Sequence, residues 1–91
     1  MNKTLQLRTE DNVIIALTAI TSGETVTSPV VSALDNIPAG HKLAAVPIAN
    51  GEAIIKYGQI IGYASKAIQA GEHVHTHNVV MADIQREHAI A

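Results

Sequence analysis

Short apolar runs alternate with turn-forming residues along most of this chain. The runs read LQLR, NVIIALTAI, VTSPVVSAL, HKLAAVPI, AIIKYGQIIGYASKAI and EHVHTHNVV. They are rich in β-branched residues, and the turns between them follow too closely for ordinary helices, which favours strands. We therefore predict a mostly β, single small domain over residues 1–91, with about seven short strands. Residues 81–91 are predicted to form a short helix or a frayed tail.

One turn signature occurs four times. It consists of isoleucine, two small or turn-forming residues, glycine, two mostly polar residues and an aliphatic residue. The copies are ITSGETV (20–26), IPAGHKL (37–43), IANGEAI (48–54) and IQAGEHV (68–74). Glycine supplies the positive φ of a tight turn, so each isoleucine is predicted to end one strand and each aliphatic to begin the next. Within the longest run, Gly58 and Gly62 predict a bend or hairpin, and Pro29 predicts an irregular or edge position.

Composition narrows the choice of core and partner. The 91 residues include no Phe, no Trp and two Tyr, so Ile, Val, Ala and Leu must build the core, and either Tyr57 or Tyr63 could be its largest filler. The net charge is −2 and the six Lys and Arg residues are scattered, which argues against a nucleic-acid partner. The absence of cysteine excludes disulfides and thiolate ligands.

The N-terminal stretch MNKTLQLRTEDN has no apolar segment of the kind found in signal peptides. No apolar run approaches the roughly 20 residues needed to span a bilayer. We therefore expect a cytoplasmic protein without a membrane partner. The chain also shows no nucleophile–base set, and it has little room for a deep pocket, so activity of this chain alone is not expected.

The stretch IQAGEHVHTHN (68–78) contains three histidines that are spaced two residues apart. In a regular strand, His73, His75 and His77 share one face. Neighbouring pairs then have Cα atoms about 6.6 Å apart, so His73 and His75 could share a metal, whereas His73 and His77 would be about 13 Å apart. A further ligand would come from elsewhere, for example from a carboxylate that follows a turn glycine. These carboxylates belong to Glu24, Glu52 and Glu72.

Three interpretations of the histidines remain open from the residues alone. They form a metal site, they bind or protonate an anionic substrate without metal, or they are the polar face of a half-solvated strand. His41 and Lys42 follow Gly40 directly, where the backbone could approach a ligand. On spacing alone this pair is typical of a solvated turn.

The motifs AGHK, IKYGQ-IGYA and AGEHVHTHN, in this order between Ile37 and Asn78, resemble the small N-terminal domain of the altronate and galactarate dehydratase family. The resemblance implies a SAF-type domain with a β-clip fold. In that family the domain accompanies a large catalytic domain, and some members have it as a separate small subunit. Since this chain carries no large domain, the resemblance implies the small-subunit form.

The resemblance also implies a chemistry, the β-elimination of water from an altronate- or galactarate-type hydroxy acid, carried out with a large catalytic subunit. A divalent metal, commonly iron, is expected in the assembled enzyme. The candidate catalytic residues are His73, His75 and His77, with His73 and His75 as the candidate metal ligands. The candidate substrate-binding residues are Gly40, His41, Lys42, Lys56, Tyr57 and Asn78.

Two other functions fit the same motifs. The chain resembles the small subunit of a sulfolactate sulfo-lyase, in which sulfite leaves instead of water. It also fits a stand-alone SAF ligand-binding module, because the fold alone does not fix the function. An isolated chain is expected to form a homo-oligomer through the surface that the large subunit would otherwise cover.

Overall fold

A computed structural model describes residues 2–81 and contains nine short strands and no helix within that range. The strands are β1 (Thr4–Leu5), β2 (Val13–Ala16), β3 (Thr25–Thr27), β4 (Val30–Ser32), β5 (Lys42–Ala44), β6 (Ala53–Lys56), β7 (Gln59–Ala64), β8 (His73–Val74) and β9 (Val79–Val80). The prediction of a mostly β domain is confirmed. Among residues 2–81 there is no apolar helix of membrane-spanning length. The predicted tail lies outside the described residues, except for Met81.

The strands are more numerous than predicted because several apolar runs fold back on themselves. VTSPVVSAL forms the β3–β4 hairpin, with the cis Ser28–Pro29 peptide in its turn. AIIKYGQIIGYA forms the β6–β7 hairpin, which turns at Tyr57 and Gly58 as predicted. Gly62 lies inside β7 opposite Ile54, beside a register shift, so this glycine marks a bulge and not a turn.

All strand pairs are antiparallel and form three sheets. The largest has the strand order β1-β2-β5-β8, the smallest is the β3–β4 hairpin, and the third has the order β6-β7-β9. Strand β5 lies at the centre of this arrangement because it pairs with β2 on one side and β8 on the other. Because β5 and β8 are antiparallel, the residues just before β5 and just after β8 lie at the same end of this strand pair.

The four-stranded sheet is buried on both faces. Ile14 and Leu43, which are paired, belong to one apolar cluster, whereas the neighbouring pair of Val13 and Ala44 belongs to the other. Since side chains alternate between faces, burial on both faces explains why the sequence here is continuously apolar. All buried apolar residues of the described range are Ile, Val, Leu or Ala, as predicted.

Neither tyrosine is buried in the core, so the alternative of a tyrosine as its largest filler does not hold. Tyr57 is 59% exposed at the tip of the β6–β7 hairpin, and Tyr63 is partly exposed in β7. The branched side chains of the two clusters fill the interior without an aromatic ring. Arg8 instead covers the ring of Tyr57, with its guanidinium carbon 5.3 Å from the ring centroid.

The four signature turns share one geometry. Gly23, Gly40, Gly51 and Gly71 have φ angles of 91°, 84°, 86° and 88°, which confirms the predicted positive φ. The predicted role of the isoleucines is wrong, because they lie outside the strands. They pair as two isolated bridges, Ile20 with Ile37 and Ile48 with Ile68, and all four are buried. Each bridge closes a loop that contains one hairpin.

Two of these glycines differ in what surrounds them. A Cβ atom at Gly71 would lie 1.9 Å from the carbonyl oxygen of Ser32, whereas a Cβ atom at Gly51 would meet nothing within 4 Å. Their φ angles are nearly equal, so the substitutions Gly71→Ala and Gly51→Ala impose similar backbone strain. We expect Gly51→Ala to cost about 1–3 kcal/mol from that strain, and Gly71→Ala to cost about 1–3 kcal/mol more from overpacking. Urea denaturation of both variants measures the difference, and equal losses would contradict the packing shown here.

The hairpin tip of β6–β7 is fastened by the side chain of Asp11. Its carboxylate accepts hydrogen bonds from the backbone N–H groups of Gly58 and Tyr57, both at 2.8 Å, and from that of Arg8 at 3.1 Å. Tyr57 and Gly58 both have positive φ, as a type I′ hairpin turn requires. Burial acts to raise the pKa of Asp11, but the three hydrogen bonds outweigh it, so the pKa lies below its ordinary value of 3.8.

The substitution Asp11→Asn should destabilise the chain by about 1–3 kcal/mol at pH 7, because an amide nitrogen cannot accept from a backbone N–H. A depressed carboxyl pKa stabilises the fold above the unfolded value, and this contribution is lost as the pH falls through the folded value. The difference from the native chain should therefore shrink below pH 3.8. Thermal unfolding between pH 7 and pH 2 tests this, with exposed Glu10→Gln as the charge-matched control. A difference that does not vary with pH would contradict it.

Candidate functional site

The histidine segment does not continue as a straight strand, so that prediction is wrong. Strand β8 contains His73 and Val74, and the chain then turns over residues 75–78 before β9. Asn78 makes this turn because its fully buried side chain accepts from the N–H of His75 at 2.9 Å and donates to the carbonyl of His73 at 2.8 Å. The turn gathers the imidazoles, and the ring centroids of His73 and His77 are 5.5 Å apart.

His41 joins these side chains through strand pairing. Strands β5 and β8 pair Lys42 with Val74, so an extension of this register by one residue brings His41 opposite His75. The rings of His41 and His75 stack with centroids 4.7 Å apart. The Nδ1 atom of His41 lies 3.0 Å from the Nε2 atom of His73. The interpretation of His41 and Lys42 as a solvated turn is therefore wrong, and both are half-buried.

We call His41, His73 and His75 the histidine cluster. Each residue offers one ring nitrogen, and the three nitrogens lie within 4.8 Å of one another. His77 contacts only one of these rings, that of His73, among the ring contacts of the described residues. The cluster thus combines one residue before β5, one in β8 and one in the turn after it.

The carboxylates that could have supplied a ligand are used by the turns themselves. Within each of three signature turns, the glutamate after the glycine accepts a hydrogen bond from the backbone N–H three residues earlier. The bonds join Glu24 with Thr21 at 3.1 Å, Glu52 with Ala49 at 2.7 Å and Glu72 with Gln69 at 2.9 Å. In the fourth turn the equivalent earlier residue is Pro38, which has no N–H. A carboxylate at position 41 would have no such donor, and the position holds histidine.

The backbone of His73 is anchored by Asp35, whose carboxylate accepts from the His73 N–H at 2.9 Å. Burial lowers the pKa of His73, and the neighbouring imidazoles of His41, His77 and His75 lower it further, while Asp35 opposes them. The lowered pKa favours the neutral form of the His73 imidazole, which is the form that accepts a hydrogen bond or binds a metal.

A cavity of about 390 Å³ opens beside the histidine cluster. It is lined by Lys42, Lys56, Ile61, Val74, His75, Thr76, Val79 and Met81, and we call it the lysine cavity. Burial lowers the pKa of Lys42, and the charge of Lys56 lowers it further. Two cationic groups in a mostly aliphatic cavity favour a small anion. His75 belongs to both the cluster and the cavity.

The structure brings together most of the residues predicted to form a site. His41, Lys42, Lys56, His73 and His75 meet around the cluster and the cavity. His77 adjoins the cluster, and Asn78 is buried beneath the turn with its side chain bonded to the backbone.

Two of the predicted residues lie apart from this group. Gly40 is an exposed turn residue, and Tyr57 lies at the hairpin tip outside the cavity lining. Asp35 was not predicted. It is remote in sequence from His73, and only the fold brings the two residues together.

The substitution Asn78→Ala should both destabilise the chain and disorder the histidine cluster. It removes the buried side chain that accepts from the N–H of His75 and donates to the carbonyl of His73, at a cost of about 1–3 kcal/mol. The exposed Thr76→Ala in the same turn is the control. Chemical denaturation gives the first effect, and imidazole proton shifts in nuclear magnetic resonance spectra give the second. Unchanged histidine shifts in Asn78→Ala would show that Asn78 does not position the cluster.

Comparison with known proteins agrees with the resemblance found in the sequence. Residues 2–82 match the sequence profile described as the altronate/galactarate dehydratase SAF domain. Altronate dehydratase of Bacillus subtilis (strain 168) is 40% identical over 89 residues, a match that covers 93% of this chain and 18% of that protein. Altronate dehydratase of Escherichia coli (strain K12) is 41% identical over 76 residues, which is 81% of this chain and 15% of that protein.

A third relative is described as a subunit of a lyase. The (2R)-sulfolactate sulfo-lyase subunit alpha of Chromohalobacter salexigens is 53% identical over 45 residues, which cover 50% of this chain and 48% of that subunit. The chain thus spans less than a fifth of the altronate dehydratases that it matches and about half of this subunit.

Proposed function

The chain belongs to the altronate/galactarate dehydratase SAF-domain family, and from this membership we propose that it is the small subunit of a sugar-acid dehydratase. In this role it supports β-elimination of water from an altronate- or galactarate-type hydroxy acid, together with a large catalytic subunit. The chain is inactive alone. Large apolar side chains that remain exposed, such as Val30 and Met81, are the kind of surface that a partner would cover. A cytoplasmic location stays a prediction.

The observation that carries this proposal is the meeting of the histidine cluster and the lysine cavity at His75. β-Elimination removes a proton from the carbon next to the carboxylate, and the electron pair of the broken C–H bond forms the new double bond. The hydroxyl group leaves the β carbon as water after it accepts a proton. Cations that steady the carboxylate and the developing enolate charge lower the barrier, and neutral imidazoles can accept or donate the protons.

Each part of the site then has a role. Lys42 and Lys56 bind the carboxylate of the substrate in the lysine cavity, where both lysines are half-buried and the attraction is stronger than in bulk water. His75, which borders that cavity, transfers a proton. Its ring stacks on that of His73, and His77 in turn contacts His73. The large subunit supplies the remaining groups and excludes water.

A divalent metal, with iron expected, is part of the proposal. The imidazoles of His73 and His75 fit such an ion, because imidazole is a common ligand of iron and zinc. A bound metal would act as a Lewis acid toward a substrate oxygen. The protein's own groups still bind the carboxylate and exchange the protons.

A sulfolactate sulfo-lyase type of reaction is the second candidate. It is favoured by the 53% identity over 45 residues to a sulfo-lyase subunit alpha. The two lysines of the cavity suit a sulfonate as well as a carboxylate, since both are compact anions. The two reactions differ in the leaving group, which is sulfite in one and water in the other.

The function is tested by isolating the chain with its partner from the native host and assaying the complex. We expect a large subunit and consumption of altronate or galactarate that depends on iron. Release of sulfite from sulfolactate would favour the second candidate. If no partner is found and neither a sugar acid nor sulfolactate is consumed, both proposals fail and the domain is a stand-alone ligand-binding module.

Within an active complex, Lys42→Met should reduce kcat/KM by about 10–100-fold, mainly through KM, because a hydrogen bond to a charged group contributes roughly 1.5–3 kcal/mol. Lys66→Met is the matched control, since Lys66 is exposed and does not line the lysine cavity. Steady-state kinetics of both variants give kcat and KM and so show whether Lys42 contributes to substrate binding. Equal effects of the two substitutions would remove Lys42 from substrate binding.

A further inference from the structure

We propose that His41, His73 and His75 together bind one divalent first-row transition-metal ion, with His41 as a ligand of the same rank as the other two. The proposal deepens the proposed function, and it rests on that function only for the identity of the anion that would bind next to the metal. Neither the histidine spacing nor the family match points to His41 as a ligand, and the fold alone brings it to the site.

The spacing of the three nitrogens suits a single ion. Imidazole nitrogens that bind Zn²⁺ at about 2.0–2.1 Å in tetrahedral geometry lie about 3.4 Å from one another. His41 Nδ1 and His73 Nε2 are 3.0 Å apart, and all three ligand atoms lie within 4.8 Å. Small side-chain rotations would therefore complete the site without movement of the backbone.

The backbone at each ligand is fixed by a separate hydrogen bond. The N–H of His41 donates to the carbonyl of Pro38 at 3.0 Å. The N–H of His73 donates to the carboxylate of Asp35 and that of His75 to the side-chain oxygen of Asn78, both at 2.9 Å. Ligands held in this way lose little conformational entropy when they bind a metal. The site is therefore largely organised before the ion arrives.

The set of donors also selects the kind of ion. The cluster contains imidazole nitrogens only, whereas the nearby glutamates are occupied by their turns. Three imidazole ligands favour zinc, iron, cobalt or nickel over calcium and magnesium, which prefer oxygen ligands. Three protein ligands also leave an open coordination position, as in catalytic metal sites.

A simple polar surface would not need this arrangement. The turn that contains His41 closes without a hydrogen bond to the side chain at position 41, because Pro38 has no N–H that could donate one. Nothing in the turn therefore requires a histidine there.

The hydrogen bond between His41 Nδ1 and His73 Nε2 also bears on metal binding. One of these two nitrogens carries the hydrogen of the 3.0 Å bond, whereas a metal ion needs the lone pair of both nitrogens. The ion must therefore move that hydrogen to the other nitrogen of its ring.

The experiment is a metal titration of the full 91-residue chain without an affinity tag, in a His88→Ala background so that the fifth histidine cannot contribute. After treatment with a chelator, Co²⁺ is added and its visible absorption is followed. Calorimetry with Zn²⁺, Mg²⁺ and Ca²⁺ completes the series. We expect one Co²⁺ and one Zn²⁺ per chain, and no binding of Mg²⁺ or Ca²⁺.

The substitution His41→Ala should weaken Zn²⁺ binding by at least about 100-fold, since the loss of even a group that supports a metal ligand costs about 10–100-fold. His73→Ala and His75→Ala should do the same. His77→Ala is the matched control, because its ring adjoins the cluster without belonging to it, and its affinity should equal that of the parent chain. Circular dichroism in chelator confirms that each variant is folded, and His41→Gln replaces His41→Ala if that variant is not.

Two outcomes would overturn the proposal. One is the absence of stoichiometric Co²⁺ or Zn²⁺ binding by the folded chain. The other is a folded His41 variant that keeps the parent affinity. The titration uses neither partner nor substrate, so its failure leaves the dehydratase proposal standing. Conversely, metal binding by a chain whose complex eliminates neither water nor sulfite would refute the proposed function alone.

Discussion

A hydrogen bond from a turn glycine to the carbonyl of a buried alanine fastens each of the four signature turns to the rest of the fold. The donors and acceptors are Gly23 with Ala33, Gly40 with Ala16, Gly51 with Ala64 and Gly71 with Ala44, at 2.7–2.8 Å. All four alanines are at most 2% exposed. Positive φ directs the glycine N–H toward the interior, and the small alanine side chain lets the turn approach closely. These bonds let a chain without large aromatic core residues reverse direction often enough to bury one sheet on both faces.

The candidate site is a consequence of two of these turns. Gly40 immediately precedes His41, and Gly71 lies two residues before His73. Because β5 and β8 are neighbours, both turns lie at the same sheet and deliver their histidines to one place. The same strands direct Lys42 and Val74 to the opposite face from Leu43 and His73, so one strand pair supplies both the lysine cavity and the histidine cluster.

Much of this was accessible from the sequence. The β class, the positive φ of the turn glycines and the hairpin at Gly58 follow from local patterns, which act over a few residues and so can be read directly. The aliphatic core follows from the lack of Phe and Trp. The family resemblance found in AGHK and AGEHVHTHN is confirmed by the match over residues 2–82.

The wrong predictions have a common physical origin. They depend on contacts between residues that are far apart in sequence, or on the burial of a polar residue that the sequence pattern does not reveal. Nothing in the spacing of residues 73–77 reveals that Asn78 is fully buried and folds the segment into a turn. The pairing of Ile20 with Ile37 removes the isoleucines from the strands, although the local pattern places them at strand ends. His41 reaches His73 across 32 positions of the chain, and only strand register brings them together.

The proposed metal site depends on the convergence of His41, His73 and His75 on one point. Anomalous diffraction at the cobalt absorption edge, from crystals of the chain grown with Co²⁺, locates any bound ion directly. We expect one strong peak within bonding distance of His41 Nδ1, His73 Nε2 and a ring nitrogen of His75. A peak bound by other residues, or one that excludes His41, would contradict it.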